Sequence, residues 1–262
     1  MYLAIPPQPD CVTAWLQAVQ AVDAEKGHEA HNVIIDIADP TARANISDPV
    51  VAKVDAFLRD KKEKPIETVA NTIFPAGLYR RHGAPAFFDR FEKNVIDRVR
   101  SNSNWSGYYF ERMMSMPRVG QEPFNQIWNI VERLRNPDVK ALNKFELSVF
   151  DPLRDVSNSP YGGQCLSFAS LKLSKDGNGK KLGMTALYRN HFYIEKLLGN
   201  LIGLGRLLDF IAQEGGVTRG SLTIISTHAE IDQPGKCTRD AILNLLKQCD
   251  QAETEEAAPV PA

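Results

Sequence analysis

The chain has 262 residues, 43% of them hydrophobic, enough for a sizeable core within one unit. Its net charge of −1 supplies no field that would draw it to nucleic acid or an anionic membrane, so phosphate binding must rest on local cations. No apolar run approaches the roughly 18 residues of a membrane span. Residues 1–7 lack the charged-then-apolar pattern of a secretory leader, and four cysteines without a C-x-x-C pair argue against a disulfide framework or a zinc or other metal site. A reducing cytosol is the expected compartment.

Residues 11–25 carry Val12, Trp15, Leu16, Val19 and Val22 at helical spacing, with Gly27 as a stop. Residues 32–40 read as a strand ended by Pro40. Helices are expected after Pro49, with Val50, Val54, Phe57 and Leu58 on one face, and over 65–74, since proline suits a first helical turn. Residues 85–100 and 123–135 are amphipathic and helical; between them 105–116 is rich in aromatics and methionine. Residues 145–150 alternate as a strand with one buried face.

Residues 166–174 and 182–188 read as two strands of a hairpin turned by Asp176-Gly-Asn-Gly. The strongest helix, 199–213, has Leu201, Leu204, Leu208 and Ile211 in register and Gly215-Gly216 as its end. A buried-type strand at 221–226 delivers His228, and 239–248 form a last helix. No linker divides the chain. One domain is expected over 1–249, followed by a disordered acidic and proline-containing tail over 250–262.

Cys165 follows a Gly-Gly turn and opens a strand, where a ligand can reach it. Cys11, Cys237 and Cys249 sit in or beside amphipathic helices and read as small buried residues. An antiparallel return sets the ends of two hairpin strands side by side, so Arg189 can lie near Cys165. A nearby cation raises the thiolate fraction of a thiol. Taken alone, Arg189 is equally a solvated charge at a strand end.

The stretch Gln164-Cys-Leu-Ser-Phe, the hairpin, Leu187-Tyr-Arg-Asn, Gly199-Asn-Leu-Ile-Gly-Leu with its later Ile-Ala-Gln, and Thr227-His together resemble the thymidylate synthase superfamily. Arg189 and Asn200 keep the family's spacing of eleven residues. Trp105-Ser-Gly-Tyr-Tyr-Phe-Glu-Arg and Asn136-Pro-Asp resemble further family segments, so the likeness runs over 30–248.

The resemblance implies an α+β fold, with a mixed β-sheet covered by helices on one face and a homodimer formed through the bare face. It implies that Cys165 attacks C6 of a pyrimidine, that Arg189 holds the 5′-phosphate, and that Asn200 bonds the base edge. His228 would reach a sugar hydroxyl, and Asn190 would add to the substrate site. Glu67 and Tyr109 would move protons through water. Read without it, Asn200 could cap a helix, His228 could be a satisfied strand-end histidine, Tyr109 could be core and Glu67 could complement a helix dipole.

The chain departs from the family at Leu166, where a histidine should follow the nucleophile, and at Phe192, where an aspartate should contact folate. Asn143-Lys144 replaces an Arg-Arg pair lent between subunits, and Glu230 replaces a tyrosine. The ending Ala258-Pro-Val-Pro-Ala has only a faint likeness to the segment that closes over folate.

Two functions follow. One is an enzyme adding a methyl or hydroxymethyl group at C5 of a pyrimidine nucleoside monophosphate, with 5,10-methylenetetrahydrofolate as donor. The other is a nucleotide-binding homologue that acts as a sensor or structural partner without folate chemistry. Neither involves a membrane or direct contact with nucleic acid.

Overall fold

The computed structural model describes residues 1–99, 107–156, 163–177 and 179–257. Trp105, the turn over 157–162, Asn178 and the Ala258-Pro-Val-Pro-Ala ending lie outside the described residues. In chain order the first elements are β1 (Leu3–Ala4), α1 (Cys11–Asp23), β2 (Glu29–Ile37), α2 (Pro49–Asp60), α3 (Ile66–Ile73), α4 (Ala76–His82), α5 (Ala86–Phe91) and α6 (Asp97–Val99). There follow α7 (Tyr109–Met114), β3 (Met116–Arg118), β4 (Gln121–Phe124), α8 (Gln126–Arg135), β5 (Phe145–Ser148) and α9 (Pro152–Asp155). The remaining elements are β6 (Leu166–Asp176), β7 (Gly179–Tyr188), β8 (His191–Phe192), α10 (Leu198–Gly215), β9 (Thr218–Glu230) and α11 (Arg239–Ala257).

One mixed sheet runs β1-β2-β9-β7-β6-β5, with β8 beside β9. β7 is antiparallel to β6 and parallel to β9. The register sorts side chains into rows. Ile35, Ile224, Ala186, Ala169 and Leu147 lie opposite one another, and so do Ile37, Leu222, Met184, Leu171 and Phe145. All ten are buried, under α1, α8 and α10; α10 packs on the other two, and all three pack on the sheet. Because side chains alternate along a strand, the opposite face carries Ile34, Ile225, Leu187 and Phe168 in one row and Asp36, Thr223, Thr185 and Ser170 in the next. The fold is therefore α+β with a mixed sheet. Among the described residues no helix is long and apolar enough to cross a membrane.

Two glycines on α10 set how closely α3 approaches. A Cβ on Gly199 would meet Val69 at 2.7 Å, and one on Gly203 would meet the Ala70 carbonyl oxygen at 2.8 Å. A glycine inside a helix costs about 1 kcal/mol relative to alanine, whereas overpacking a contact this tight costs about 1–3 kcal/mol. Close approach wins, and it brings Val69 and Thr72 of α3 to the same cavity as Asn200 of α10.

The structure departs from the sequence reading at several places. β9 continues to Glu230, so His228 lies inside a strand rather than beyond its end. The 85–100 helix is broken by a π-helical turn at Glu92–Ile96, and another precedes α10 at Tyr193–Leu197. The β3–β4 hairpin ahead of α8 was not foreseen, because its short strands carry no alternating pattern. The tail is not disordered from 250 onward: α11 runs to Ala257 because Ala252 is buried in the core and Glu253 pairs with Arg43 at 2.8 Å.

Candidate active site

The β6–β7 pairing sets Leu166 opposite Tyr188, and one step further the Arg189 amide donates to the Cys165 carbonyl at 2.9 Å. The Arg189 Nε donates to the Gln164 carbonyl at 2.9 Å, which ties the guanidinium to the segment holding the thiol. Gln164 is buried and donates from Nε2 to the Gly107 carbonyl at 3.0 Å, drawing in the start of the segment that leads to α7. A buried, two-pronged Arg112–Asp155 ion pair (2.8 and 3.1 Å) links α7 to α9. Removing one partner of such a pair costs about 3–5 kcal/mol.

These anchors leave a cavity of about 240 Å³ walled by Cys165, Tyr109, Asn190, Asn200, Lys64 and Lys196, with His191 and Phe192 among its other residues. Cys165 is half-buried and is a free thiol, while Cys11, Cys237 and Cys249 are buried. Tyr109 shares the cavity wall with Cys165, and its hydroxyl favours the thiolate. Burial pushes the Cys165 thiol above its ordinary value, against Arg189, Lys196 and Tyr109, which all favour the thiolate. Desolvation wins, so the thiol carries its proton near neutral pH.

Asn200 is buried and bonds its neighbour His191 rather than capping a helix. Its Nδ2 donates to His191 Nε2 at 2.9 Å, so the Nδ1 of that ring carries the proton, 3.0 Å from Ser226 Oγ. The ring stacks on Tyr188 at 4.0 Å between centroids. Burial pushes the His191 pKa down to about 3, so the imidazole stays neutral and keeps this tautomer. With one Nδ2 hydrogen committed, Asn200 retains Oδ1 and its second amide hydrogen for a ligand. The Tyr188 hydroxyl is buried with no hydrogen-bond partner among the described residues.

Of the residues singled out from sequence, Cys165, Tyr109, Asn190 and Asn200 meet at the cavity; Arg189 is exposed and not part of the cavity wall, held to the Gln164 carbonyl next to Cys165. Glu67 does not join them. It is exposed on the flank of α3 and pairs with Arg206 at 2.8 and 3.0 Å, because Val69 and Thr72 occupy the cavity-facing side of that helix. His228 stands one residue away: its Nδ1 lies 2.5 Å from Asn190 Oδ1, and it is not part of the cavity wall. Sequence reasoning missed Lys64, Lys196 and His191. Lys196 carried a usable signal, since it precedes Asn200 by one helical turn.

Two measurements check these electrostatics. Alkylation of Cys165 by iodoacetamide, followed on its own peptide, should be slow at neutral pH and still be rising above pH 9, the ordinary thiol value. Arg189→Ala, Lys196→Ala and Tyr109→Phe should each slow it further; a plateau below pH 9 would contradict the balance described. His191 tests the fold. The unfolded chain takes up a proton as pH falls below 6.5, while the folded ring does not until about 3. Its contribution is complete above 6.5 and is lost as pH falls toward 3, by up to about 5 kcal/mol. Urea unfolding between pH 4 and 7 should show that slope, and His191→Gln should flatten it by about one proton.

No family model matches the chain. Over 194 residues it is 28% identical to a protein of Methanothermobacter marburgensis named "Putative thymidylate synthase", a match covering 66% of this chain and 81% of that protein. Over 107 residues it is 30% identical to a protein of Methanopyrus kandleri with the same name, covering 41% of this chain and 48% of that protein. The chain is thus distantly similar to proteins of the thymidylate synthase type.

Proposed function

We propose that the chain is an enzyme of the thymidylate synthase type and fold that modifies C5 of a pyrimidine nucleoside monophosphate through a covalent adduct on Cys165. The observation that carries this reading is one cavity reached by the Cys165 thiol and the Asn200 amide, with Arg189 and Lys196 beside the sulfur. The cations would hold a 5′-phosphate by charge-assisted bonds. The Asn200 carbonyl would accept from N3–H of uracil while its remaining amide hydrogen donates to O4. The thiolate would add to C6, forming the S–C6 bond and leaving C5 the nucleophile. After a carbon–carbon bond forms at C5 and the C5 proton leaves, the S–C6 bond breaks and returns the thiolate. Tyr109, on the same cavity wall as the thiol, would move the proton that this exchange requires.

5,10-Methylenetetrahydrofolate would supply the one-carbon unit. A second cavity of about 280 Å³ shares Thr72 and Tyr108 with the first. It is lined by Pro75, Leu78, Phe91 and Val95, and by Asn71, whose buried Oδ1 has no partner among the described residues. That chemistry suits a flat heteroaromatic ring bearing an N–H. Phe192 stands where the resemblance calls for a folate-contacting aspartate, which favours hydroxymethyl transfer, needing only water, over methylation, which needs a hydride.

The second reading, a nucleotide-binding homologue without folate chemistry, is favoured by Glu67, which pairs with Arg206 outside the cavity. Tritium release separates the two. With C5-tritiated dUMP, UMP, dCMP or CMP and methylenetetrahydrofolate, release should occur with a uracil nucleotide and vanish in Cys165→Ala. Binding of nucleotide without release supports the second reading.

The dimer belongs to the same proposal. The row Ile34, Ile225, Leu187 and Phe168, each half-buried, crosses four strands on the face opposite α1, α8 and α10. Light scattering should give twice the chain mass, and Leu187→Glu should give the monomer. A wild-type monomer at micromolar concentration would remove this part of the reading.

A further inference from the structure

Beyond the cavity, the β2–β9 ladder carries two unusual cross-strand pairs, Glu29 opposite Glu230 and His31 opposite His228. Like charges directly opposite one another destabilise an antiparallel pair. Here the ligand atoms of Glu29, His228 and Glu230 converge within 4.8 Å of one another. His228 is held in place from outside the group: its Nδ1 lies 2.5 Å from Asn190 Oδ1 and donates to it, so Nε2 points at Glu29 Oε2, 3.3 Å away. In the same way His31 Nδ1 lies 3.3 Å from the Thr227 carbonyl, and the two imidazole centroids are 5.2 Å apart. Metal-binding histidines are oriented in this manner, with the second ring nitrogen donating to an oxygen. The imidazole Nε2 of His228 and a carboxylate oxygen of Glu29 thus face each other across 3.3 Å. Glu230 adds a second carboxylate oxygen to the same group.

We propose that Glu29, His228 and Glu230 bind a divalent first-row transition ion, with His31 adjacent as a further donor. One imidazole and two carboxylates form a nitrogen–oxygen set suited to Zn²⁺ or Co²⁺. This proposal does not depend on the pyrimidine reading, although the two meet at Asn190. With the ion bound, Asn190 Oδ1 is committed to His228, and its amide hydrogens are left for the Cys165 cavity. The ion thus fixes one wall of that cavity without entering it.

The test uses full-length, tag-free protein stripped with a chelator and titrated with Zn²⁺ or Co²⁺ alone, read by calorimetry and by thermal melting. One ion per chain should bind saturably and raise the Tm with metal concentration. His228→Ala and Glu230→Gln should abolish both effects. Asn190→Ala, which removes only the partner of the ligand, should weaken binding about 10–100-fold. Glu29→Gln keeps the test open should His228→Ala misfold. Binding must survive Cys165→Ser; its loss there would assign the ion to the thiol and overturn the proposal. Absence of saturable binding by the wild-type protein, or binding unchanged in both Glu29→Gln and Glu230→Gln, would also overturn it.

Discussion

The candidate site depends on one backbone register, the antiparallel pairing that sets Leu166 opposite Tyr188 and carries on to the bond from the Arg189 amide to the Cys165 carbonyl. A slip of one residue would exchange the faces of β7, sending Tyr188 away from the helices and Arg189 into the core. The register is held by burial. On the helix side each β6–β7 partner in the central rows is fully buried, and the cost of exposing an Ala169, Leu171 or Met184 opposes any shift. The chemistry at the strand mouth is therefore secured by packing some distance from it.

Around that anchor, the thiol's environment is a contest between desolvation and positive charge. Arg189, Lys196 and the Tyr109 hydroxyl favour the thiolate, yet burial dominates. The neutral His191 ring plays a different part. It fixes the Asn200 amide from behind, where Leu166 has taken the place of the histidine that the family resemblance would set beside the nucleophile. His191 reaches the cavity from β8, which pairs with β9.

Much of the fold was legible because its elements carry strong periodic signals. The hairpin through Asp176-Gly, the long helix ending at the left-handed Gly216, and the proline-started α2 all follow from local rules. Elements set by tertiary contacts were not legible. The extension of α11 to Ala257 rests on the Arg43–Glu253 pair, two residues far apart in sequence. At the site, Cys165 and Arg189 could be brought together from hairpin geometry alone. The outward turn of Glu67 could not be foreseen, because it follows from the phase of α3 against the glycines of α10. Lys64 and His191 reach the cavity through loop and sheet geometry that no spacing rule encodes, and the carboxylate–histidine cluster is invisible to a search based on cysteine spacing.

The central claim is that a reactive thiol and a phosphate-binding guanidinium serve one pocket, and nucleotide protection of Cys165 tests it most directly. The rate of alkylation at Cys165 is measured with increasing dUMP, UMP, dCMP or CMP. The account predicts saturable protection by at least one uracil monophosphate, weaker protection by the matching nucleoside, and a shift to higher concentration in Arg189→Ala. Alkylation that proceeds at the same rate under saturating concentrations of every nucleotide would contradict it.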